Sequence, residues 1–534
     1  MIHSGLNLAK HVHRILHDFN FHTKLFCITT DSASNNVKMM KELTKLLRKD
    51  GVTWSGLAHH IRCLAHVINL AVKAFLSNLK ATPMSEEQQW LSSDDPQELD
   101  GGQESDIEED EDMYGNDQEN IDEDADAPSL VIKEGEGFET VLLKIREISK
   151  AATVTPKRIQ SFENVCTAAN IKPLRLIRDH AIRWNATFNM LERALYLRKA
   201  IDLWTRSNPL FTQLEMTPRQ WDMVEFLVHF LYPFMVASTT IQATARPSLP
   251  DTWAVYEELF DVLDNAKAAL EEMESLPEWL KETKTAIESM WVKLRTYYDK
   301  TNKPYAYVDA TLLHPGLKKR FMKKAGYGED TILKFIREAE ARFSKNYDPP
   351  NPARRFATGR KPTQRGKRPR PSTPSDSDSS DGMEYNEFSS YMQIKRDGNV
   401  NDPVTWWKGS QALYPKLSGM ARDVLAVPAT GAGVEREFSV SGRVVTKQRN
   451  RLAPKTIRDL MQYKRWVVQH GVVIPEEERL GGRSEPEDED IPYGTEEEFF
   501  SDDEEDESNK SVADWLKEWA KRETVSEKLK RISK

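Results

Sequence analysis

Apolar residues recur at helical spacing in LAKHVHRILHDFN (8–20) and NNVKMMKELTKLLRKD (35–50), and between them KLFCITT (24–30) is a short apolar and β-branched run. Such spacing predicts amphipathic helices, and the short unbroken run predicts a buried strand. HHIRCLAH (59–66) reads as a second strand, feeding the apolar helix VINLAVKAFL (67–76). Strands alternating with helices predict a layered α/β sheet. From Phe138 to about Tyr347 the period is helical almost throughout. FETVLLKIREISKAA, RWNATFNMLERALYLRKAIDLW, QWDMVEFLVHFLYPFMVAST, TWAVYEELFDVLDNAKAAL and EWLKETKTAIESMWVKLRTYYDK each carry one apolar face, with Pro and Gly near the breaks. That pattern predicts a helical bundle. A last structured block is expected from about Asp402 to Val473. The closing SVADWLKEWAKRETVSEKLKRISK reads as an amphipathic helix whose Trp515, Leu516 and Trp519 are suited to docking.

Charge divides the chain further. No Lys or Arg occurs between Lys80 and Lys133, a gap that contains DIEEDEDMYGNDQENIDEDADA, and no Asp or Glu occurs between Asp348 and Asp376, where RRFATGRKPTQRGKRPRP lies. EPEDEDIPYGTEEEFFSDDEEDES forms a second acidic run. Segments this charged bury too little surface to offset their ordering entropy and are expected to be disordered. The net charge of -9 is an average over opposite tails. Three cysteines, Cys27, Cys63 and Cys166, make no disulfide framework and fit a reducing compartment. No stretch approaches the ~18 apolar residues of a membrane span and no signal-peptide pattern opens the chain, so a soluble intracellular protein without membrane contact is expected.

Four places carry candidate chemistry. Asp31 follows the first strand and precedes a helix. Locally it reads as a helix cap, the commoner role; a carboxylate at a strand end also suits a ligand site. His59, His60, Cys63 and His66 are ligand types, yet their compressed spacing without a second pair argues against structural zinc. Arg183 and Trp184 read locally as surface Arg and core Trp. VPATGAGVEREFSVSGRVVTKQRNRLAP joins a Gly-rich turn, Glu435 beside Arg436, and the cations Lys447, Arg449 and Arg451. It reads either as an ion pair or as a metal ligand with phosphate contacts close by.

TDSASNN, RCLAHVINL, RWNATFNMLER and PATGAGVEREFSVSGRVVTKQRNRL, in this order, resemble the motifs of the hAT superfamily of cut-and-paste DNA transposases. DPVTWWKGSQALYPKLSGMARDVLAVPAT resembles the start of that family's C-terminal dimerisation region. The resemblance implies a ribonuclease-H-like α/β core interrupted by a large all-α insertion, predominantly helical overall. It also implies a site in which two Asp and one Glu hold divalent Mg²⁺ or Mn²⁺. Asp31 corresponds to the second Asp and Glu435 to the Glu. Cys63 and His66 correspond to the C-x-x-H beside the site, and Arg183 and Trp184 to the Arg-Trp that opens the insertion, its Trp associated with flanking DNA. Two Mg²⁺ suit in-line attack at a phosphodiester, and hard cations favour carboxylate oxygens.

The expected organisation is a first core part over 1–84, an acidic insertion over 85–137, the helical insertion over 138–347, a basic Pro/Ser-rich linker over 348–400, the dimerisation region completing the core over 401–473, an acidic tail over 474–510 and an amphipathic helix over 511–534. Trp406, Trp407, Tyr414, Leu417 and Leu425 are the expected dimer anchors, with packing inside one chain as the alternative. Arg365, Lys367 and Arg368, inside a stretch that reads as a nuclear-import signal, are expected to add DNA contacts. The family's first Asp has no counterpart in these residues; neither Asp179 nor Asp309 has strand context. The expectation is therefore a nuclear, DNA-binding, homo-oligomeric protein with a rudimentary sheet whose uncovered edge invites association, without independent cleavage and without zinc. An active transposase completed by further N-terminal sequence, and a domesticated chromatin or transcription adaptor whose acidic runs bind basic proteins, are the alternatives.

Overall fold

The computed structural model describes residues 4–80, 137–179, 184–242, 247–272, 278–349, 386–398, 400, 402–436, 438 and 452–469. They fall into two compact units, one running through Thr430 and the other beginning at Gly431. The acidic runs, the basic stretch and the closing helix expected from sequence lie outside the described residues.

Helix α1 (Gly5–Asp18) starts where the Ser4 hydroxyl accepts from the Asn7 amide. Its Leu8, Ala9, Val12 and Leu16 share a face and meet Met39, Met40, Leu43 and Leu47 of α2 (Ser34–Lys49). Between them lies β1 (Ile28–Thr30); after α2 come a single helical turn, α3 (Gly56–His59), and β2 (His60–Arg62). The strands pair in parallel with Ile28 opposite His60 and Thr30 opposite Arg62, and the Cys63 amide extends the ladder to the Thr30 carbonyl at 2.7 Å. Parallel pairing requires a crossover, here supplied by α2 and α3. Gly56 is needed in it, since a Cβ there would stand 2.6 Å from the Met40 carbonyl oxygen.

Both strands are shorter than the apolar runs predicted. The indole of Trp54 donates to the Phe26 carbonyl at 2.9 Å, taking a group that a longer β1 would use in pairing. His59 belongs to α3, so β2 begins one residue later than the run suggested. The result is a two-stranded sheet beside a much larger helical mass.

Helix α4 (Leu64–Asn78) follows β2 and is apolar around most of its circumference, burying Leu64, Val67, Ile68, Ala71, Val72, Phe75 and Leu76. It packs against the helices Pro218–Gln242 and Glu278–Lys300 of the insertion. Phe75 meets Phe230 with ring centroids 4.7 Å apart, and Asn78 donates to the Ser289 hydroxyl. The insertion also contains the helices Phe138–Thr153, Pro156–Ala168, Trp184–Tyr196, Arg198–Ser207 and Thr252–Glu271. RWNATFNMLERALYLRKAIDLW, read from sequence as one helical segment, is two helices broken at the buried Leu197. Pro218–Gln242 corrects another expectation: it is long and apolar enough to cross a membrane. More than half of its most apolar window is buried, including Phe226, Phe230 and Phe234, because it forms the centre of the bundle.

The stretch expected as linker becomes ordered before its predicted end. Helix Glu387–Gln393 buries Phe388 and Tyr391 completely. Tyr391 donates its hydroxyl to the Leu312 carbonyl, and the Trp407 indole donates to the Leu313 carbonyl at 2.7 Å. Lys318 is buried with its ammonium over the Tyr391 ring, and it donates to the carbonyls of Tyr391 and Ile394. Residues 386–430 are thereby knitted into the helical body of the first unit. The described part of the second unit contains helix Pro454–Gln469, which exposes Leu460, Tyr463 and Trp466.

Candidate functional site

Asp31 stands at the C-terminal end of β1, exposed. Its Oδ1 accepts from the Ala33 amide at 3.0 Å and from the Asn36 side-chain amide at 2.6 Å. The helix cap proper is Ala33, which has no side-chain bond to offer, so Asp31 closes the turn from two residues upstream. That turn engages Oδ1 and leaves Oδ2 uncommitted among the described residues. Asp31 is thus a turn residue rather than the cap expected from its place before a helix.

The neighbouring strand presents His60, Arg62 and Cys63. His60 is 7% exposed and shares a 2.8 Å hydrogen bond between Nε2 and the Thr30 hydroxyl. Burial, helped by the Arg62 cation and opposed by Asp31, pushes its pKa down to about 4, so its imidazole is neutral at physiological pH. Arg62 is itself held below its ordinary value by burial; Tyr297, Tyr307 and Tyr256 act on it in the opposite sense. Sequence reasoning quoted Arg62 in the RCLAH motif without giving it a role; its place two residues along the strand from His60 was the available signal. Cys63 is buried at the start of α4, and His66, half-buried, follows on the first turn.

His59 is turned elsewhere. Its ring nitrogens bond the Ser55 carbonyl and the Tyr305 hydroxyl, and it stacks on Trp54. With His60 bonded to Thr30, the two histidines that open HHIRCLAH have different partners. Trp184 is 3% exposed at the head of its helix, packed edge-on against Phe188, so its indole serves the helical core. Arg183 lies outside the described residues. Asp179 and Asp309 are committed to internal ion pairs. Asp179 meets Arg146 at 2.8 Å and accepts from Thr187; Asp309, buried in helix Ala306–Leu313, is held bidentately by Arg342. Of the expected dimer anchors, Trp407, Tyr414, Leu417 and Leu425 are buried within the first unit, while Trp406 is partly exposed.

Glu435 and Arg436 belong to the second unit, both exposed on a short helical stretch at 432–436. Lys447, Arg449, Arg451, Arg365, Lys367 and Arg368 lie outside the described residues. Among the described residues Asp31 belongs to no group of three or more metal-ligating side chains; the group that meets that description is His13, His17 and Asp50. His13 and His17 approach Asp50 Oδ2 through Nε2 at 2.6 and 2.9 Å, a donor set able to hold a divalent ion. Sequence reasoning missed it, although the one-turn spacing of the two histidines was visible.

Comparison with known proteins agrees with this architecture. Residues 1–56 match the ZBED1 RNase-like domain, 125–230 the ZBED1 RNase-like helical domain and 384–467 the hAT family C-terminal dimerisation region. The chain is 24% identical over 86% of its length to "Putative transcriptional regulator tpeD" of Talaromyces stipitatus, covering 48% of that protein. It is 23% identical over 87% of its length to "Putative AC transposase" of Zea mays, covering 51% of it. To the zinc finger BED domain-containing protein DAYSLEEPER of Arabidopsis thaliana it is 21% identical over 54% of its length, covering 41% of that protein. It therefore spans about half the length of the first curated relatives it matches. The three matches follow one another along the chain as an α/β start, a helical insertion and a C-terminal dimerisation region, and with these relatives they show a hAT transposase-like protein.

Proposed function

We propose that the chain is a transposase-derived nuclear protein that binds DNA as a homodimer or higher homo-oligomer and that these 534 residues by themselves neither cleave nor join DNA. The observation that carries this reading is the state of Asp31: one oxygen committed to a turn, and no three-ligand group around the carboxylate among the described residues. Asp31 and Glu435 are the oxygen donors that a Mg²⁺ or Mn²⁺ ion would use, and such ions stabilise attacking and leaving oxygens at phosphorus. Two carboxylates leave that coordination short of the three the family resemblance implies. Cys63, His66 and Arg436 support the strand end and the acid-bearing turn. Lys447, Arg449 and Arg451, with Arg365, Lys367 and Arg368, neutralise backbone phosphates, giving affinity that falls with salt. The exposed Val404 and Leu413, with the partly exposed Trp406, are apolar surface offered to a second copy.

A nicking assay with Mg²⁺ or Mn²⁺ on DNA bearing terminal inverted repeats tests the reading. No cleavage above background is expected; robust cleavage abolished by Asp31→Ala would overturn it. Gel-shift titrations at two salt concentrations test the DNA arm, with a negative salt slope expected.

A second reading is favoured by the length of the relatives, of which the chain covers about half. In it, the same residues form part of a longer, active transposase whose remaining segments supply the third carboxylate. Cleavage that appears only when upstream coding sequence is restored distinguishes this from the first reading.

A further inference from the structure

The geometry points to a transition-metal site of the zinc class, built by His13 and His17 of α1 with Asp50 at the end of α2. The two histidines are one helical turn apart and so share a face. Their Nε2 atoms converge on one oxygen, Asp50 Oδ2, at 2.6 and 2.9 Å, and the three ligand atoms lie within 4.8 Å of one another. A tetrahedral ion with bonds of about 2.0–2.1 Å needs ligand atoms about 3.3 Å apart, so an outward shift of about half an ångström admits it. The side chains of His13, His17 and Asp50 are 23%, 40% and 26% exposed, which leaves an entry path and room for a water as fourth ligand. His22 stacks on His17 with ring centroids 4.1 Å apart, fixing that ring, and its Nδ1 is buried without a hydrogen-bond partner.

Two imidazoles and one carboxylate suit zinc, whereas Mg²⁺ takes oxygen ligands almost exclusively. The site is also remote from Asp31. Asp31 precedes α2 and Asp50 follows it, and 16 helical residues put about 24 Å between them. The ion would clasp α1 to the far end of α2, stabilising the helix pair beside the sheet. This inference does not depend on the function proposed above.

The test is titration of the metal-stripped chain with Zn²⁺, Co²⁺ and Mg²⁺. One Zn²⁺ per chain is expected, with a raised melting temperature, a tetrahedral Co²⁺ absorption band and no response to Mg²⁺ at the same concentrations. His17→Ala should weaken Zn²⁺ binding by at least about tenfold, and Glu42→Gln, on α2 and paired with Lys45, should leave it unchanged. If a variant does not fold, X-ray absorption on the unaltered zinc-loaded chain decides. Two imidazole nitrogens in the first coordination sphere support the site. Absence of saturable Zn²⁺ binding, binding indifferent to His17→Ala, or a sphere dominated by sulfur or by oxygen alone would overturn it, leaving a plain hydrogen-bonded clasp.

Discussion

Thr29 donates its hydroxyl to the carbonyl of Pro428 at 2.7 Å, across 399 positions of sequence. One residue further along, the Ala429 amide donates to the Ser248 hydroxyl oxygen at 3.0 Å, and the Ala429 carbonyl accepts from the Leu64 amide at 2.9 Å. The first strand, the insertion and the segment leading toward Glu435 are therefore tied at one place. Thr29→Val keeps the β-branched shape and deletes the donor. We expect a loss of about 1 kcal/mol in urea denaturation and faster amide exchange at Ala429 and Thr430. Unchanged exchange there would show that the bond does not hold the segment.

His60 makes stability depend on pH. Its folded pKa, pushed down to about 4 by burial and then by Arg62, lies below the ordinary value of 6.5. The unfolded chain therefore binds the proton first as pH falls. Stability is fully present above pH 6.5 and declines between 6.5 and 4, by about 3 kcal/mol at most. Melting temperatures of the chain and of His60→Asn across that range check this: the variant should be less stable at pH 7 and show a flatter profile.

Arg342 holds Asp309 with two hydrogen bonds, 2.9 and 2.5 Å, while lying over the Tyr305 ring at 4.6 Å. Burial raises the Asp309 pKa even against the opposing guanidinium. Arg342→Met removes the cation and leaves the carboxyl buried, at an expected cost of about 3–5 kcal/mol. The double variant Arg342→Met with Asp309→Leu should recover much of that loss in chemical denaturation. A loss no smaller in the double variant would show that the pair is not the source of the cost.

The aromatic block at 406–414 separates folding from self-association. Trp407 is buried and bonded to Leu313, so Trp407→Ala should cost about 3–5 kcal/mol. Leu413 is 67% exposed, and Leu413→Asp should change stability by less than about 0.5 kcal/mol. Sedimentation velocity is the deciding measurement: Leu413→Asp should shift the chain toward monomer, and an unaltered distribution would move the contact elsewhere.

Much of the fold was legible because helices announce themselves over many residues. The spans at 138–153, 252–271 and 278–300 fall where the apolar faces predicted them. The strands were legible only as places. Whether Lys24–Cys27 pairs depends on Trp54, which captures the Phe26 carbonyl from 28 positions away, and local pattern carries no such information. The candidate site divides in the same way. Asp31 could be picked out from its position between strand and helix, and its Oδ1 closes the turn that leads into α2, two residues ahead of the cap. The pairing of Asp309 with Arg342 and of His13 and His17 with Asp50 joins residues more than 30 positions apart. HHIRCLAH has the ligand types at a spacing too compressed for structural zinc, whereas His13 and His17 meet their carboxylate only in the fold, at the end of another helix.

Helix α4 has an implication for how this architecture can change. It enters from the sheet and spends Phe75, Leu76 and Val72 on helices that belong to the insertion. An inserted module that merely decorated a sheet could be trimmed away by deletion, returning the parent. Here the excision would expose to water apolar side chains that the insertion now covers. Gene fragments ending near residue 80 should therefore yield insoluble protein rather than a smaller working relative.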